Sequence, residues 1–545
     1  MPDSTWQLAA RGGQQQPSEH VDVLIVGAGL SGIGAAIHLQ QGCPGSSYAI
    51  LETRQASGGT WDLFRYPGIR SDSDMFTLGY RFKPWLHGQS IADGASILAY
   101  IREAAREHGV ERAIRYGRTV RSAAWSSAEG RWTVEVQHED TGETELLSCG
   151  FLFANTGYYR YDEGYLPGFQ GLEDYRGKVI HPQHWPEGED CAGERVVVIG
   201  SGATAVTLVP SLAKRAAHVT MLQRSPTYVF ALPGADPLAD ALRRVLPAAA
   251  AYALVRWKNV LASSAFFQLS RRAPALVRAL IEARARRALP AGYDVGTHFK
   301  PAYQPWDQRM CVVPDGDLFQ AISHGNVEVV TDRIERFTEH GLLLSSGRQL
   351  EAEVIITATG LNLHLLGGMQ LTVDGRPVEL SQTVAYKGMM LSGVPNMAFT
   401  IGYTNASWTL KADLVAEYVC RLLRHMHQHG YTRCMPLAPD SSMPTAPFME
   451  LTSGYVKRSI DRLPRQGTSA PWRLHMNYML DRRALRHSPV ADRGIEFSRA
   501  PSPAETRTSG RAGAGAGAGA GVGAGAGVGA GAGAGAGGAA GLARH

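Results

Sequence analysis

Residues 21–34 read VDVLIVGAGLSGIG: an apolar run of six positions broken only by Asp22, then glycines at 27, 29, 32 and 34. A continuous apolar stretch of this length, ending in glycine, predicts a strand buried on both faces. The turn that follows is Gly27-Ala28-Gly29-Leu30-Ser31-Gly32. Gly27 permits the tight turn, Gly29 lets the backbone approach a pyrophosphate, and Gly32 lets the next helix pack close to the strand. SGIGAAIHLQQG then predicts a helix whose first turn offers free N–H groups and a partial positive charge. SYAILE predicts the next strand, closed by Glu52, 25 residues after Gly27, where a carboxylate can accept hydrogen bonds from ribose hydroxyls.

The same order recurs downstream as RVVVIGSG, ATAVTLVPSLAKR and HVTMLQR. Its turn is Gly200-Ser201-Gly202-Ala203-Thr204-Ala205, with Ala205 in the third glycine place. The second strand here ends in Arg224 and Ser225 instead of an acid. A guanidinium pairs with a 2′-phosphate that a carboxylate would repel. The first site is therefore expected to take FAD and the second NADPH; the bland alternative for Arg224 is a solvated loop residue. Two strand–turn–helix–strand units predict an α/β protein: two dinucleotide-binding, Rossmann-like domains with a helical insertion. Two such sites in one chain imply hydride transfer from NADPH to flavin. No C-x-x-C pair exists among the six cysteines, so the usual dithiol acceptor is missing and dioxygen is the expected oxidant.

Composition narrows the class further. At 545 residues, 44% apolar and 19% charged, the chain can bury a large core. A net charge of +5 is too small to argue for nucleic acid. The scattered cysteines exclude a disulfide scaffold and a zinc ribbon, fit a reducing compartment, and leave no metal expected at the site. No uncharged run reaches the roughly 18 residues of a membrane span. Residues 1–19, without a basic then apolar signal pattern, are expected to be a disordered leader of a cytoplasmic protein. Residues 501–545 form a tail; 512–541 contain only Gly, Ala and Val, which predicts disorder or, alternatively, silk-like strand stacking. Residues 241–289 carry ten Arg or Lys against one acid, Glu282, a net of +9. They read as helices at 233–299 whose basic face is solvated, touches anionic lipid as a peripheral membrane contact, or covers a substrate channel. The remaining boundaries are expected at 20–165 with 340–500 for the FAD domain, and 166–232 with 300–339 for the NADPH domain.

One stretch is more specific. Residues 175–186, YRGKVIHPQHWP, match the pattern F-x-G-x-x-x-H-x-x-x-W-P with Tyr175 in the Phe place. The chain resembles flavin-containing monooxygenases of the Baeyer–Villiger type, and within them the mycobacterial ethionamide-activating branch, over roughly residues 20–500. That resemblance implies that Thr60, Trp61, Asp62 and Leu63 of GGTWDLFRYPGIRSDSD wrap the FAD, and that Arg70, Ser71 and Asp72 lie between flavin and nicotinamide. An ordinary turn with Asp72 as a helix cap is the competing reading. The resemblance places the catalytic arginine at Arg309 of YQPWDQRMCVVPDGDLF, with Asp72 orienting it, and Val120 near the adenine. Gln308 stands where many relatives have Lys, leaving more of the 2′-phosphate to Arg224. His181 and Trp185 are implied to couple domain rotation to cofactor position. ANTG at 154–157 and ATG at 358–360 would be the joints between domains, and a helix beginning near Ser407 would face the flavin. The implied reaction uses dioxygen, through a C4a-peroxyflavin, to oxidise a ketone to an ester or lactone, with sulfides and thioamides as parallel substrates. The alternatives are N- or S-oxygenation without ketone chemistry, or a flavin oxidase or reductase.

Overall fold

The computed structural model describes residues 16–499. The expected tail and most of the expected leader lie outside those residues; Glu19, placed in the leader above, already opens the first strand. Along the chain, β1 (Glu19–Val26), α1 (Leu30–Gly42) and β2 (Tyr48–Glu52) are followed by α2 (Gly94–Glu107), β3 (Ile114–Tyr116), β4 (Arg118–Ser126), β5 (Arg131–His138) and β6 (Thr144–Ala154). Then come β7 (Lys178–Ile180), β8 (Arg195–Ile199), α3 (Ala203–Leu212) and β9 (His218–Gln223). The insertion supplies α4 (Pro237–Val245), α5 (Ala248–Arg272) and α6 (Pro274–Ala288). After it come α7 (Asp317–Ser323), β10 (Val327–Thr331), β11 (Val354–Thr357), β12 (Gln370–Val373), β13 (Arg376–Pro377), β14 (Met397–Phe399) and α8 (Trp408–His429).

Two sheets result. The first has the order β13-β12-β4-β5-β6-β1-β2-β3, with β14 beside the end of β6. Its β1 pairs in parallel with β2 and β6, Val23 opposite Tyr48 and Phe151. The second, β10-β9-β8-β11-β7, is parallel throughout. Both glycine turns therefore sit at the carboxyl end of a central parallel strand, where open α/β sheets take ligands. Side chains alternate across each sheet. Val23 and Ile25 join α1 residues Ile33, Ala36 and Ile37 in one core, while Leu24 and Val26 face a second core on the other side. Val196 and Val198 of β8 pack with α3, and Val197 and Ile199 face the opposite layer. Every residue of the β8 run except Arg195 is thus consumed by burial, which is why it reads as unbroken apolar sequence.

The second unit extends further than the boundary expected at 339. Strand β11 lies between β8 and β7, so the chain stays in this unit to about residue 357. The three-stranded excursion over 334–351 precedes it. The apolar pattern of EVIITATG announces a buried strand without saying which sheet it enters. The insertion is also more than an appendage. Inward residues Tyr252, Val255 and Val260 of α5 belong to the first unit's core, while Ala285 of α6 belongs to the second unit's. Arg256, on the buried face of α5, donates to the carbonyls of Phe76 (2.7 Å) and Gly79 (2.8 Å) and pairs with Asp413 at 3.3 Å. Asp413 also binds His38 Nε2 at 3.1 Å. Burial would push the Asp413 carboxyl up, but His38, Arg256 and the Arg81 N–H hold it below its ordinary value. Removing one member of such a buried set leaves uncompensated charge. Arg256→Met is expected to destabilise the protein by about 3–5 kcal/mol, seen as a lower urea midpoint for the full chain.

His181 occupies the joint between the units. A Cβ on Gly164 would meet its ring at 1.9 Å, so the strand Tyr159–Gly164 passes directly over the imidazole. Its Nδ1 accepts from the Gln183 N–H (3.2 Å), which leaves Nε2 to donate to the Gly360 carbonyl (3.3 Å). Burial lowers its pKa, so the neutral ring is the one that fits. Its stabilising contribution is then full above the ordinary imidazole value, near 6.5, and is lost as pH falls below that value. Gln at position 181 does not titrate. The difference in melting temperature between wild type and His181→Gln is therefore expected to shrink from pH 7.5 to pH 5.5.

Candidate functional site

The first turn shows why its glycines are needed. Gly27 adopts φ +101°, and a Cβ there would lie 2.6 Å from the Asn155 carbonyl oxygen. A Cβ on Gly32 would lie 1.8 Å from the Gly27 carbonyl oxygen, whereas one on Gly29 would make only ordinary contact with the Gly59 Cα at 3.5 Å. Glu52, buried at the end of β2, accepts from the N–H groups of Ala28 (2.8 Å) and Arg54 (2.9 Å). Burial raises its pKa against those hydrogen bonds. As a carboxylate it retains further lone pairs for hydroxyl donors. Ser31 accepts from the indole Nε1 of Trp408 at 2.7 Å, which brings the start of α8 to this turn. Three buried polar atoms on the segments leaving β6 and β14 have no partner among the described residues: Asn155 Oδ1, Thr400 Oγ1 and Asn405 Oδ1. Orphaned acceptors and hydroxyls at the carboxyl edge of a sheet suit a polar ligand that supplies the missing partners.

The loop after β2 leaves the first unit and docks on the second. Phe64 and Tyr66 enter the core around α3, and a Cβ on Gly68, at φ +76°, would touch Ser211 at 2.8 Å. Its residues divide accordingly. Thr60 and Trp61 line a cavity of about 970 Å³, with the Tyr161 hydroxyl 3.2 Å from Thr60 Oγ1. Leu63, expected beside FAD, is packed in the second unit's core. Asp62, expected there too, is buried in a cluster of guanidiniums: Arg54 (2.5 Å), Arg102 (2.8 Å) and Arg65 (3.5 Å). Its side chain secures the loop and does not line the cavity. Val120 lies in the core on the far face of the first sheet, with Leu51.

The same cavity is walled by Arg70, Ser71 and Asp72, by Gly200, Ser201, Gly202, Ala203 and Thr204, by Arg224 and Ser225, and by Arg309. Ala205 faces inward to the core, where a small side chain lets α3 close on its strand. Gly200 sits at φ +136°, and a Cβ there would lie 2.4 Å from the Ala358 carbonyl oxygen. Ser201 Oγ is 2.9 Å from Thr227 Oγ1. The Ser71 hydroxyl is turned into its own loop, donating to the Ser73 carbonyl at 2.7 Å. Arg70 is gripped by both carboxylate oxygens of Asp317, the first residue of α7.

Arg309 pairs with Asp72, Nη2 to Oδ2 at 2.9 Å and to Oδ1 at 3.1 Å. Asp72 is thus an ion-pair partner and not a helix cap; Asp74 caps the short helix Met75–Leu78 that follows. Both side chains are about one-third exposed, at 33% and 28%, and face the cavity. A pair this open contributes only about 0–1 kcal/mol to stability, so its consequence is a fixed cation at the cavity wall. The charge of Asp72 raises the Arg309 pKa further, which keeps the guanidinium protonated. Three phenols surround it. Burial pushes Tyr159 up to about 12 and raises Tyr158 and Tyr455 as well, so all three stay neutral. The Tyr158 and Tyr159 hydroxyls are 3.3 Å apart, and the Tyr158 ring lies 5.2 Å from that of Trp408. A continuous set of contacts therefore runs from the first glycine turn, through Ser31, Trp408, Tyr158 and Tyr159, toward Arg309.

The sequence reading missed several of these groups. Tyr158 and Tyr159 follow the ANTG joint directly, which was the available signal; Tyr455 comes from a late loop with none. It also missed Arg333. Arg224 and Arg333 follow the adjacent strands β9 and β10, both are exposed on the cavity wall, and neither has a hydrogen bond or ion pair from its side chain among the described residues. Two unspent guanidiniums next to the second glycine turn fit a phosphorylated ribose.

Comparison with known proteins identifies the family. Residues 89–366 match the model of the flavin-binding monooxygenase-like family, and residues 25–83 match an NAD(P)-binding Rossmann-like domain. The chain is 58% identical over 487 residues to the FAD-containing monooxygenase EthA of Mycobacterium tuberculosis, covering 89% of this chain and 99% of that one. It is 52% identical over 488 residues to the putative FAD-containing monooxygenase MymA of the same species, covering 89% and 98%. In fold it matches a steroid monooxygenase bound to NADP with a TM-score of 0.69 at 23% identity, over 88% of this chain and all of the other. With two glycine turns, a cavity walled by the second of them and the 60–72 loop, and this degree of identity, the chain belongs to the family of FAD-containing monooxygenases.

Proposed function

We propose that this FAD- and NADPH-dependent monooxygenase converts ketones to esters or lactones and also oxygenates sulfides and thioamides. One oxygen atom of O2 enters the substrate and the other leaves as water, with NADPH and a proton supplying the two electrons and the hydrogens. Bound FAD, once reduced by NADPH, supplies the activation of dioxygen. The first glycine turn and Glu52 hold the dinucleotide of FAD. The second turn takes the NADPH pyrophosphate at the start of α3, while Arg224 and Arg333 take its 2′-phosphate. Arg70, fixed by Asp317, and Ser71 flank the nicotinamide side. Asp72 holds Arg309 in place, and Arg309 offers its N–H groups to the oxygen anion that develops on the ketone. It cannot act as a base, because it stays protonated. Tyr158, Tyr159 and Tyr455 remain neutral donors around it. The observation that carries this reading is the Arg309–Asp72 pair on the wall of a cavity shared by the first unit's loop and the second unit's glycine turn.

One preorganised donor to a developing oxyanion is worth roughly 2.7–4 kcal/mol, or 10²- to 10³-fold in kcat. Arg309→Ala is expected to lose about that much ketone oxidation while keeping bound FAD and its reduction by NADPH, followed as bleaching of flavin absorbance. Sulfide oxygenation, which needs no stabilised alkoxide, should fall less. Full ketone turnover in Arg309→Ala would defeat the assignment, and stoichiometric hydrogen peroxide with every ketone and sulfide would favour an oxidase.

The phosphate reading has its own test. A charge-assisted hydrogen bond is worth about 1.5–3 kcal/mol, roughly tenfold or more in Kd. Arg224→Ala and Arg333→Ala should each weaken 2′,5′-ADP binding about tenfold by calorimetry, and the double variant about a hundredfold, with 5′-AMP little affected. An Arg333→Ala protein that binds 2′,5′-ADP like wild type would remove Arg333 from the site.

A further inference from the structure

The outward face of the helical insertion has the wrong chemistry for a surface in water. On α5 the solvent-facing stripe is Ala250, Leu254, Trp257, Leu261, Ala265 and Leu269, spaced three or four residues apart over about 28 Å at 1.5 Å per residue. Leu254 and Leu261 are 53% and 54% exposed, and Trp257 is 38% exposed. Helix α6, joined to α5 through Ala273 alone, repeats the pattern with Leu276 (52%) and Leu280 (51%). On a surface helix these positions are normally polar. Here both faces are apolar: Tyr252, Val255 and Val260 pack inward around the buried Arg256, and leucines face out as well. Exposed apolar stripes of this extent mark an interaction surface.

The charges around the stripe identify its occupant. Residues 241–289 carry +9, against a total of +5 for the whole chain, so the rest of the molecule is net negative. Arg244, Arg272, Arg284, Arg286 and Arg287 are exposed or nearly so, and none has a carboxylate partner among the described residues. A second copy of this chain would bring one basic face against another, and like charges oppose that contact. An anionic bilayer meets both halves of the pattern. Its headgroups neutralise the free guanidiniums, its acyl boundary takes the leucines, and the long arginine side chains reach back to the phosphates. Among the described residues no helix is long and apolar enough to cross a membrane, so the contact would lie in the plane of the interface. We propose that the α5–α6 hairpin docks the enzyme on anionic lipid membranes, its leucines entering the headgroup–acyl boundary and its free arginines reading negative charge.

The test is co-sedimentation of the full-length holoenzyme with vesicles of pure phosphatidylcholine and of phosphatidylcholine with 30% phosphatidylglycerol. Wild type is expected to pellet with the anionic vesicles at least tenfold more strongly than with the neutral ones. Leu254→Ser/Leu261→Ser/Leu276→Ser/Leu280→Ser should lower that partitioning at least tenfold. Arg284→Gln/Arg286→Gln/Arg287→Gln should abolish most of the preference for anionic lipid. Both variants should keep wild-type turnover of a water-soluble sulfide, which shows that they are folded. Wild type that stays in the supernatant with both vesicles overturns the proposal, as does a leucine variant that partitions like wild type. Sedimentation velocity separates the remaining case: a wild-type dimer that the leucine substitutions convert to monomer, without vesicle binding, would assign the face to a second copy instead.

Discussion

Asp72 and Arg309 are separated by 237 positions in the chain and by 2.9 Å in space. Bringing them together constrains much of the molecule. The loop that carries Asp72 must leave the first unit and dock on α3, which Gly68 permits because any side chain there would strike Ser211. The segment that carries Arg309 must return from a long helical excursion that packs on both units. The pair itself adds little to stability. Its effect is to hold a permanent cation at a cavity wall, with neutral phenols around it, where a developing negative charge would be stabilised most.

The loop from 58 to 74 shows how much of a binding motif is scaffolding. Asp62 is buried among three guanidiniums and ties the loop to α2 through Arg102. Leu63 is spent on the neighbouring unit's core. On the cavity side of the motif lie Thr60, Trp61, Ile69, Arg70, Ser71 and Asp72, with Phe64 and Tyr66 reaching both the cavity and the neighbouring core. Such a division is physically sensible. A loop that crosses between two units needs its own anchors before any residue on it can be positioned to a few tenths of an ångström.

The basic insertion follows a similar division between inner and outer faces. Its inner face is specific, with Arg256 satisfied by two backbone carbonyls and a buried aspartate. Its outer face combines arginines that have no carboxylate partner among the described residues with leucines left about half exposed. Composition could report only the surplus of charge; which arginine is buried and which leucines are exposed depends on the packing.

Much of the fold was legible in local sequence. The two glycine turns, their flanking strands and helices, Glu52 at one strand end and Arg224 at the other all follow from period, spacing and the sterics of glycine, which act over a few residues. What sequence could not decide was membership and proximity. Strand β11 reads as buried without showing which sheet it joins; the guanidinium partners of Asp62 lie too far along the chain or too irregularly to be read; Arg333 and Tyr455 carried no signal and reach the cavity only because distant strands and loops converge on it. The reason is range. Backbone conformation and burial pattern are set by neighbours within a turn of helix or a strand, whereas a site is made of side chains hundreds of residues apart, and only the closed tertiary structure brings them within bonding distance.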